Sequence, residues 1–296
     1  MPRKREMWDL LVGTEDGVAR YGGETGESKG FFAAGGDLER PTGLRFGPDG
    51  HLYVSNVGPD NVLRFDGKTG APLGVAASHE DLKHPRQLAF RSGRLFVSSR
   101  GTNRVLSFDL DTGNFIGYAT KVHPSYTTDH IGHDGLSQPF GLIHDPDGNL
   151  LVASHGTDSV RRYDGETGLF IDTFACGNGL VQPRNIVYGP DGNLYVTSGN
   201  HRVLRFDGKR GSFIDTFVAP DDNGGLHDPY GLEFGADGDL YVVSRTTNSV
   251  LRYDGRTGAF SDRFVSSSLP DLAAYAVFVG GLGGAYDPRG WEALLA

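Results

Sequence analysis

The segment Pro183–Phe217 decides the fold: PRNIVY, the turn Gly189-Pro190-Asp191-Gly192, LYVTS from Leu194, VLRF from Val203, the turn Asp207-Gly208-Lys209-Arg210-Gly211, and FIDTF from Phe213. Four short runs rich in β-branched and aromatic residues, separated by Pro, Gly and Asp, are the pattern of an antiparallel meander. Pro190 presets φ in the first turn and Gly192 takes its strained position. The Asp-Gly turn with a closing Gly is hairpin chemistry.

The meander recurs along the chain. Opening strands are PTGLRF at 41, PRQLAF at 85, PFGLIH at 139, PRNIVY at 183 and PYGLEF at 229, with Pro spacings of 44, 54, 44 and 46. Second strands follow as LYVSN at 52, LFVSS at 95, LLVAS at 150 and LYVVS at 240, and third strands as VLRF at 62, VLSF at 105, VRRY at 160 and VLRY at 250. A period near 45 residues with four strands and no helix is that of a propeller blade, and radial closure leaves few exposed edges. A sixth blade is split. Leu10–Val12, Val18–Tyr21 and Gly30–Ala33 supply its second to fourth strands, and Ala274–Gly280 (AYAVFVG) supplies the first, so that the two ends close the ring. The expected architecture is all-β: one six-bladed β-propeller of four-stranded antiparallel blades. Its blades fall at about 8–40 plus 274–280, 41–84, 85–138, 139–182, 183–228 and 229–273, with a tail at 281–296.

Composition agrees. The 296 residues include 45 Gly and 15 Pro, about a fifth of the chain against an average nearer 12%, which excludes a helical bundle. An aromatic content of 11% excludes a disordered low-complexity chain. A net charge of −9 weighs against a nucleic-acid partner. Cys176 is the only cysteine, so neither an intramolecular disulfide nor a Cys-based zinc site can form. The apolar run after the basic start is only Leu10–Val12, too short for a signal-peptide core or a membrane span, and the expected location is cytoplasmic, away from membranes.

The repeat resembles the NHL family of six-bladed propellers, whose units read Pro-x-Gly-hydrophobic, GPDG, LYV and VLRFD, as they do here over residues 8–280. It is also similar to the streptogramin lyase group. That resemblance implies a His after an opening Pro and a Glu at the end of a second strand, acting with magnesium. This sequence instead has Thr42, Arg86, Phe140, Arg184, Tyr230 or Tyr275 at the first position, and Asn56 or Ser at the second. The inner His set of zinc-dependent peptide-amidating propellers and the carboxylate set of calcium-dependent gluconolactonase-like propellers are missing too. Propellers carry many unrelated sites, so the residues must decide function.

The opening strand of each blade is innermost, and its start meets the end of the second strand at one mouth of the channel. The residues after each Pro form one ring: Thr42, Arg86, Phe140, Arg184, Tyr230 and Tyr275. The residues after the second strands form another, expected as Val57, Arg100, His155, Gly199, Arg245 and Thr14, preceded by Asn56, Ser99, Ser154, Ser198 and Ser244. Arg86, Arg100, Arg184 and Arg245, with Phe140 and Asn56, are the candidate substrate-binding residues. Such cations focus field on a carboxylate or phosphate, unless they pair with acids such as Glu39, Asp81 or Asp228. Tyr230, Tyr275 and His155 are the candidate catalytic residues, with the Tyr pKa lowered by Arg and His155 titrating near neutrality.

The connection 119–138 is about ten residues longer than its equivalents, and its His130, His133 and Asp134 are a candidate lid. His130 and His133 also leave open a divalent metal; otherwise no cofactor is expected. The functional expectation is metal-independent lyase, isomerase or cyclase chemistry on a small anionic or carbonyl-bearing molecule. The alternative is a non-catalytic NHL-type ligand- or protein-binding module, and the sequence leaves the oligomeric state open.

Overall fold

The computed structural model describes residues 9–35, 37–121, 135–265 and 274–279. Blade 1 joins the two ends of the chain: β1 (Leu10–Thr14), β2 (Gly17–Tyr21) and β3 (Ser28–Ala34) pair with the last strand, β24 (Ala276–Phe278). Blade 2 is β4 (Pro41–Phe46), β5 (Leu52–Asn56), β6 (Asn61–Phe65) and β7 (Pro72–Ser78), and blade 3 is β8 (Pro85–Arg91), β9 (Arg94–Ser99), β10 (Arg104–Asp109) and β11 (Phe115–Tyr118). Blade 4 comprises β12 (Pro139–His144), β13 (Leu150–Ser154), β14 (Ser159–Tyr163) and β15 (Phe170–Cys176). Blade 5 comprises β16 (Ile186–Tyr188), β17 (Leu194–Ser198), β18 (Arg202–Phe206) and β19 (Phe213–Val218), and blade 6 β20 (Pro229–Phe234), β21 (Leu240–Ser244), β22 (Ser249–Tyr253) and β23 (Phe260–Val265). All six sheets are four-stranded antiparallel meanders, a six-bladed β-propeller.

The core lies between blades. Alternate residues of a strand face opposite neighbours, so both faces are apolar in the inner strands. Between blades 2 and 3, for example, Tyr53 and Val62 pack on Leu88, Val97 and Phe108. The hairpin turns are held by their first residue. Asp66 Oδ1 accepts hydrogen bonds from the Thr69 amide (2.8 Å) and hydroxyl (2.8 Å), which holds its carboxyl below the usual range.

At the axis the inner strands come into backbone contact, because large and small residues alternate at the third position of the opening strand. Gly43 faces Gln87, Gly141 faces Asn185 and Gly231 faces Tyr275. A Cβ on Gly43 would lie 1.9 Å from the Arg86 carbonyl oxygen, and one on Gly231 would lie 2.8 Å from Tyr275 Cα. In their place the amides of Gly141 and Gly231 donate to the carbonyls of Arg184 (2.8 Å) and Ala274 (2.9 Å) in the next blade.

A second repeated device builds the upper mouth. The residue before each opening Pro is left-handed: Arg40, His84, Gln138, Gln182 and Asp228 have φ between 46° and 54°. Its amide is capped by a polar side chain of the preceding blade: His84 by Asp60 (2.7 Å), Gln138 by Asn103 (2.8 Å), Gln182 by Asp158 (2.7 Å) and Asp228 by His201 Nδ1 (3.1 Å). Its carbonyl accepts the amide of the residue after the second strand, as with Val57 on Arg40 (3.4 Å), His155 on Gln138 (3.3 Å) and Arg245 on Asp228 (3.3 Å). Strain at the mouth is thus held by hydrogen bonds, with the Asp228 side chain beside Arg184 and Arg245 and that of Gln138 beside Arg100.

Candidate functional site

The ring positions meet around one opening, in two parts. The first part is filled. Phe140 and Tyr230 lie edge to face with centroids 5.8 Å apart, and Tyr230 meets Tyr275 in the same way at 5.7 Å. His155 stacks on Phe140 at 4.8 Å. Guanidiniums cover these rings: Arg86 and Arg100 over Phe140 at 5.2 and 5.6 Å, Arg184 and Arg245 over Tyr230 at 4.9 and 5.2 Å. Cation–π contact replaces part of the water these cations lose.

Two of the four arginines are satisfied by pre-proline side chains. Arg184 Nη1 is 2.6 Å from Asp228 Oδ1 and donates to the Pro229 carbonyl at 3.3 Å. Arg100 donates from Nη2 to Gln138 Oε1 at 2.8 Å. Arg245 reaches Asp228 only at 3.7 Å. Of the other two acids considered as partners, Asp81 accepts from the Tyr118 hydroxyl and lies 3.8 Å from Arg104, and Glu39 forms no ion pair among the described residues. Arg86 has no hydrogen-bond or ion-pair partner among the described residues, and its buried Nε is unsatisfied. Burial holds the Arg86 guanidinium below the usual arginine range, opposed by the Tyr230 and Tyr275 phenols and reinforced by Arg100 and Arg245. It stays charged at neutral pH all the same.

The second part of the mouth is open. A cavity of about 160 Å³ is lined by Thr14, Glu15, Arg40, Pro41, Thr42, Val57, Arg86, Tyr230, Arg245 and Ala274. It exists because blades 1 and 2 place Ala274 and Thr42 where blades 4 and 5 place Phe140 and Arg184. Thr42 also donates its hydroxyl into the wall, to the Pro85 carbonyl at 2.9 Å.

Several expectations for single residues are corrected. In the split blade the ring positions shift by one residue. The pairing of Gly13 with Tyr275 and Ala274 repeats that of Thr197 with Asn185 and Arg184. Ala274 therefore holds the ring position assigned to Tyr275, and Glu15 that assigned to Thr14. Tyr275 is fully buried, its hydroxyl donates to the Arg184 carbonyl at 3.2 Å, and burial raises its pKa, against the lowering expected from nearby Arg. For His155, burial first and then Arg184 and Arg100 depress the pKa to about 4, so the imidazole is neutral where it was expected to titrate. Asn56 is fully buried in structural bonds, accepting from the Glu39 amide (2.6 Å) and donating to the Asp37 carbonyl (2.7 Å), and so faces no substrate. The lid residues His130, His133 and Asp134 lie outside the described residues. Among the described residues no three His, Cys, Asp or Glu side chains gather as a metal-binding group, and no helix is long and apolar enough to cross a membrane.

Glu15, Arg40 and Gln138 were missed as mouth residues. For Glu15 the signal was available: the third position of the opening strand alternates Gly with a large residue from blade to blade, and only Tyr275 at that position completes the series and fixes the register of the split blade.

No sequence profile of a known protein family and no curated protein matches the chain. Among solved structures, a chain from the crystal structure of a nidogen/laminin complex superposes with a TM-score of 0.70 at 19% identity, covering 90% of this chain and 97% of that one. A catalytically inactive virginiamycin B lyase from Staphylococcus aureus, crystallised with quinupristin, gives 0.56 at 17% identity over 75% of this chain and 68% of that one. A protein of unknown function from Bacteroides caccae gives 0.65 at 15% identity over 91% and 98%. At these identities the likeness is one of fold: the chain is a six-bladed β-propeller, similar both to propellers in binding assemblies and to a lyase.

Proposed function

We propose that this propeller binds a small organic anion at the upper mouth of its channel, with Arg86 as the principal anchor and Arg245 and Tyr230 beside it. One observation carries the reading: a half-buried guanidinium, its Nε buried and unsatisfied, on the wall of an open cavity without a counter-ion among the described residues. A partly desolvated charge without a counter-ion is unfavourable, and a carboxylate accepting two parallel N–H bonds is its natural partner.

This reading keeps the small anionic molecule of the sequence analysis and favours its binding-module alternative over lyase, isomerase or cyclase chemistry. The expected acid–base pair does not serve: His155 is a weak base stacked on Phe140, and the Tyr275 hydroxyl is spent on a carbonyl. Tyr230 remains as a phenol beside the bound anion. The NHL-like repeat and the lyase among the structural neighbours make elimination the first reaction to assay once a ligand is known.

Thermal unfolding at fixed ionic strength with acetate, propionate, butyrate, pyruvate and phosphate tests the reading. A ligand at about 100 times its Kd adds roughly 2.7 kcal/mol. At least one anion should raise the Tm of the native protein, and Arg86→Gln should abolish the shift. Stabilisation by none of them, or by one that acts equally on Arg86→Gln, would refute it.

A further inference from the structure

The cavity carries charge of both signs. Glu15, in the turn after β1, lines it together with Arg40, Arg86 and Arg245, yet among the described residues Glu15 forms no ion pair with any of them. Opposite charges on one wall attract, and flexible side chains normally close such a gap. Here the charges come from different blades, and two of the cations are held elsewhere. Arg86 leaves the start of β8, held in cation–π contact with Phe140, and Arg245 is held over Tyr230, whereas Glu15 belongs to blade 1. Thr42, Val57 and Ala274 line the same cavity and carry no charge to pair with either sign.

We propose that the ligand is a small zwitterion, an aliphatic amino acid whose carboxylate meets Arg86 and Arg245 and whose ammonium meets Glu15. This rests on the anion-binding reading above and names its substrate class. A plain carboxylate would leave the Glu15 carboxylate facing it unpaired, and a plain amine would face three guanidiniums. A molecule bearing both charges satisfies both ends, and selectivity follows from the unpaired charge each simpler ligand leaves behind. Val57 and Ala274 supply apolar contact for the methylenes between the charges, and a cavity of about 160 Å³ has room for a short chain.

The test is a matched series at pH 7.5 by titration calorimetry: glycine, β-alanine, γ-aminobutyrate and δ-aminovalerate against acetate, propionate, butyrate and pentanoate. At least one amino acid should bind about tenfold tighter than its deaminated counterpart, the scale of one charge-assisted hydrogen bond. In Glu15→Gln that preference should vanish while the carboxylate still binds, because Glu15 is exposed on a turn and outside the core. Equal binding of each pair by the native protein, or a preference that survives Glu15→Gln, would overturn the zwitterion proposal and leave the anion site standing. No binding by any member of either series would bring down both.

Discussion

The two parts of the upper mouth are built from one repeat and end in opposite states. In blades 4 and 5 the ring position after the opening proline carries Phe140 and Arg184, and the space is filled: Phe140 is stacked by His155, and Arg184 is neutralised by Asp228. In blades 1 and 2 the same position carries Ala274 and Thr42, and a cavity remains with Arg86 unpaired on its wall. Backbone geometry does not separate them. Side-chain volume at one position, and whether a pre-proline residue supplies a counter-charge, decide whether a blade contributes packing or a site.

The hardest blow to this comparison is Asp228→Asn, which keeps a residue tolerant of the left-handed φ of 54° and removes only the charge. Arg184, whose side chain is 11% exposed, then becomes a second unpaired cation. Stability should drop by about 2 kcal/mol in urea unfolding, somewhat below the usual cost of breaking a fully buried pair because Asp228 keeps some contact with solvent. Added carboxylate should restore part of the loss. A variant as stable as the native protein would show that the filled part does not depend on neutralisation.

The pH profile separates the parts next. The folded-state pKa of His155 is about 4, below its ordinary value of 6.5, and that of His144 is also about 4, depressed by burial and by Arg91 and Arg45. Below pH 6.5 the unfolded chain binds these protons first. The stability due to neutral imidazole is therefore full above pH 6.5 and is lost as pH falls toward 4. His155→Gln should flatten this loss by about 1 kcal/mol, allowing for solvent screening. An unchanged slope would place the imidazole in water, not on Phe140. The smallest effect belongs to Arg100→Ala. Its partner Gln138 is neutral and part-exposed, and a change of at most about 1 kcal/mol is expected in the same unfolding assay. A larger loss would mean that Arg100 holds the aromatic cluster together.

The fold was legible because turn chemistry repeats with the blade: Pro at the head of the inner strand, Gly-Pro-Asp-Gly at its foot, Asp-Gly at the outer hairpin. The ring positions of Arg86, Arg184, Tyr230 and Arg245 followed by counting from those prolines. Counting failed in blade 1, where no proline opens the strand. Matching AYAVFVG to the pattern PYGLEFG puts Tyr275 level with Tyr230, whereas it packs against Gly231 in the place of Gln87 and Asn185. Pairing was illegible for another reason. Asp228 and Gln138 reach the arginines through left-handed residues before proline, a conformation the preceding blade imposes through His201 and Asn103. No local pattern announces it. The pKa of His155 depends likewise on Arg184 and Arg100 from two other blades.

The antiparallel pairing of β1 with β24 gives the cavity a place in time. Thr14 and Glu15 leave the ribosome more than 250 residues before Ala274, yet all three line one cavity. The pocket thus cannot form until the last strand of the ring has been made, and it straddles the seam by which the ring opens. A molecule held there spans the clasp, so its occupancy should slow unfolding as well as shift the equilibrium. The seam makes the proposed binding site a report that the circle has closed.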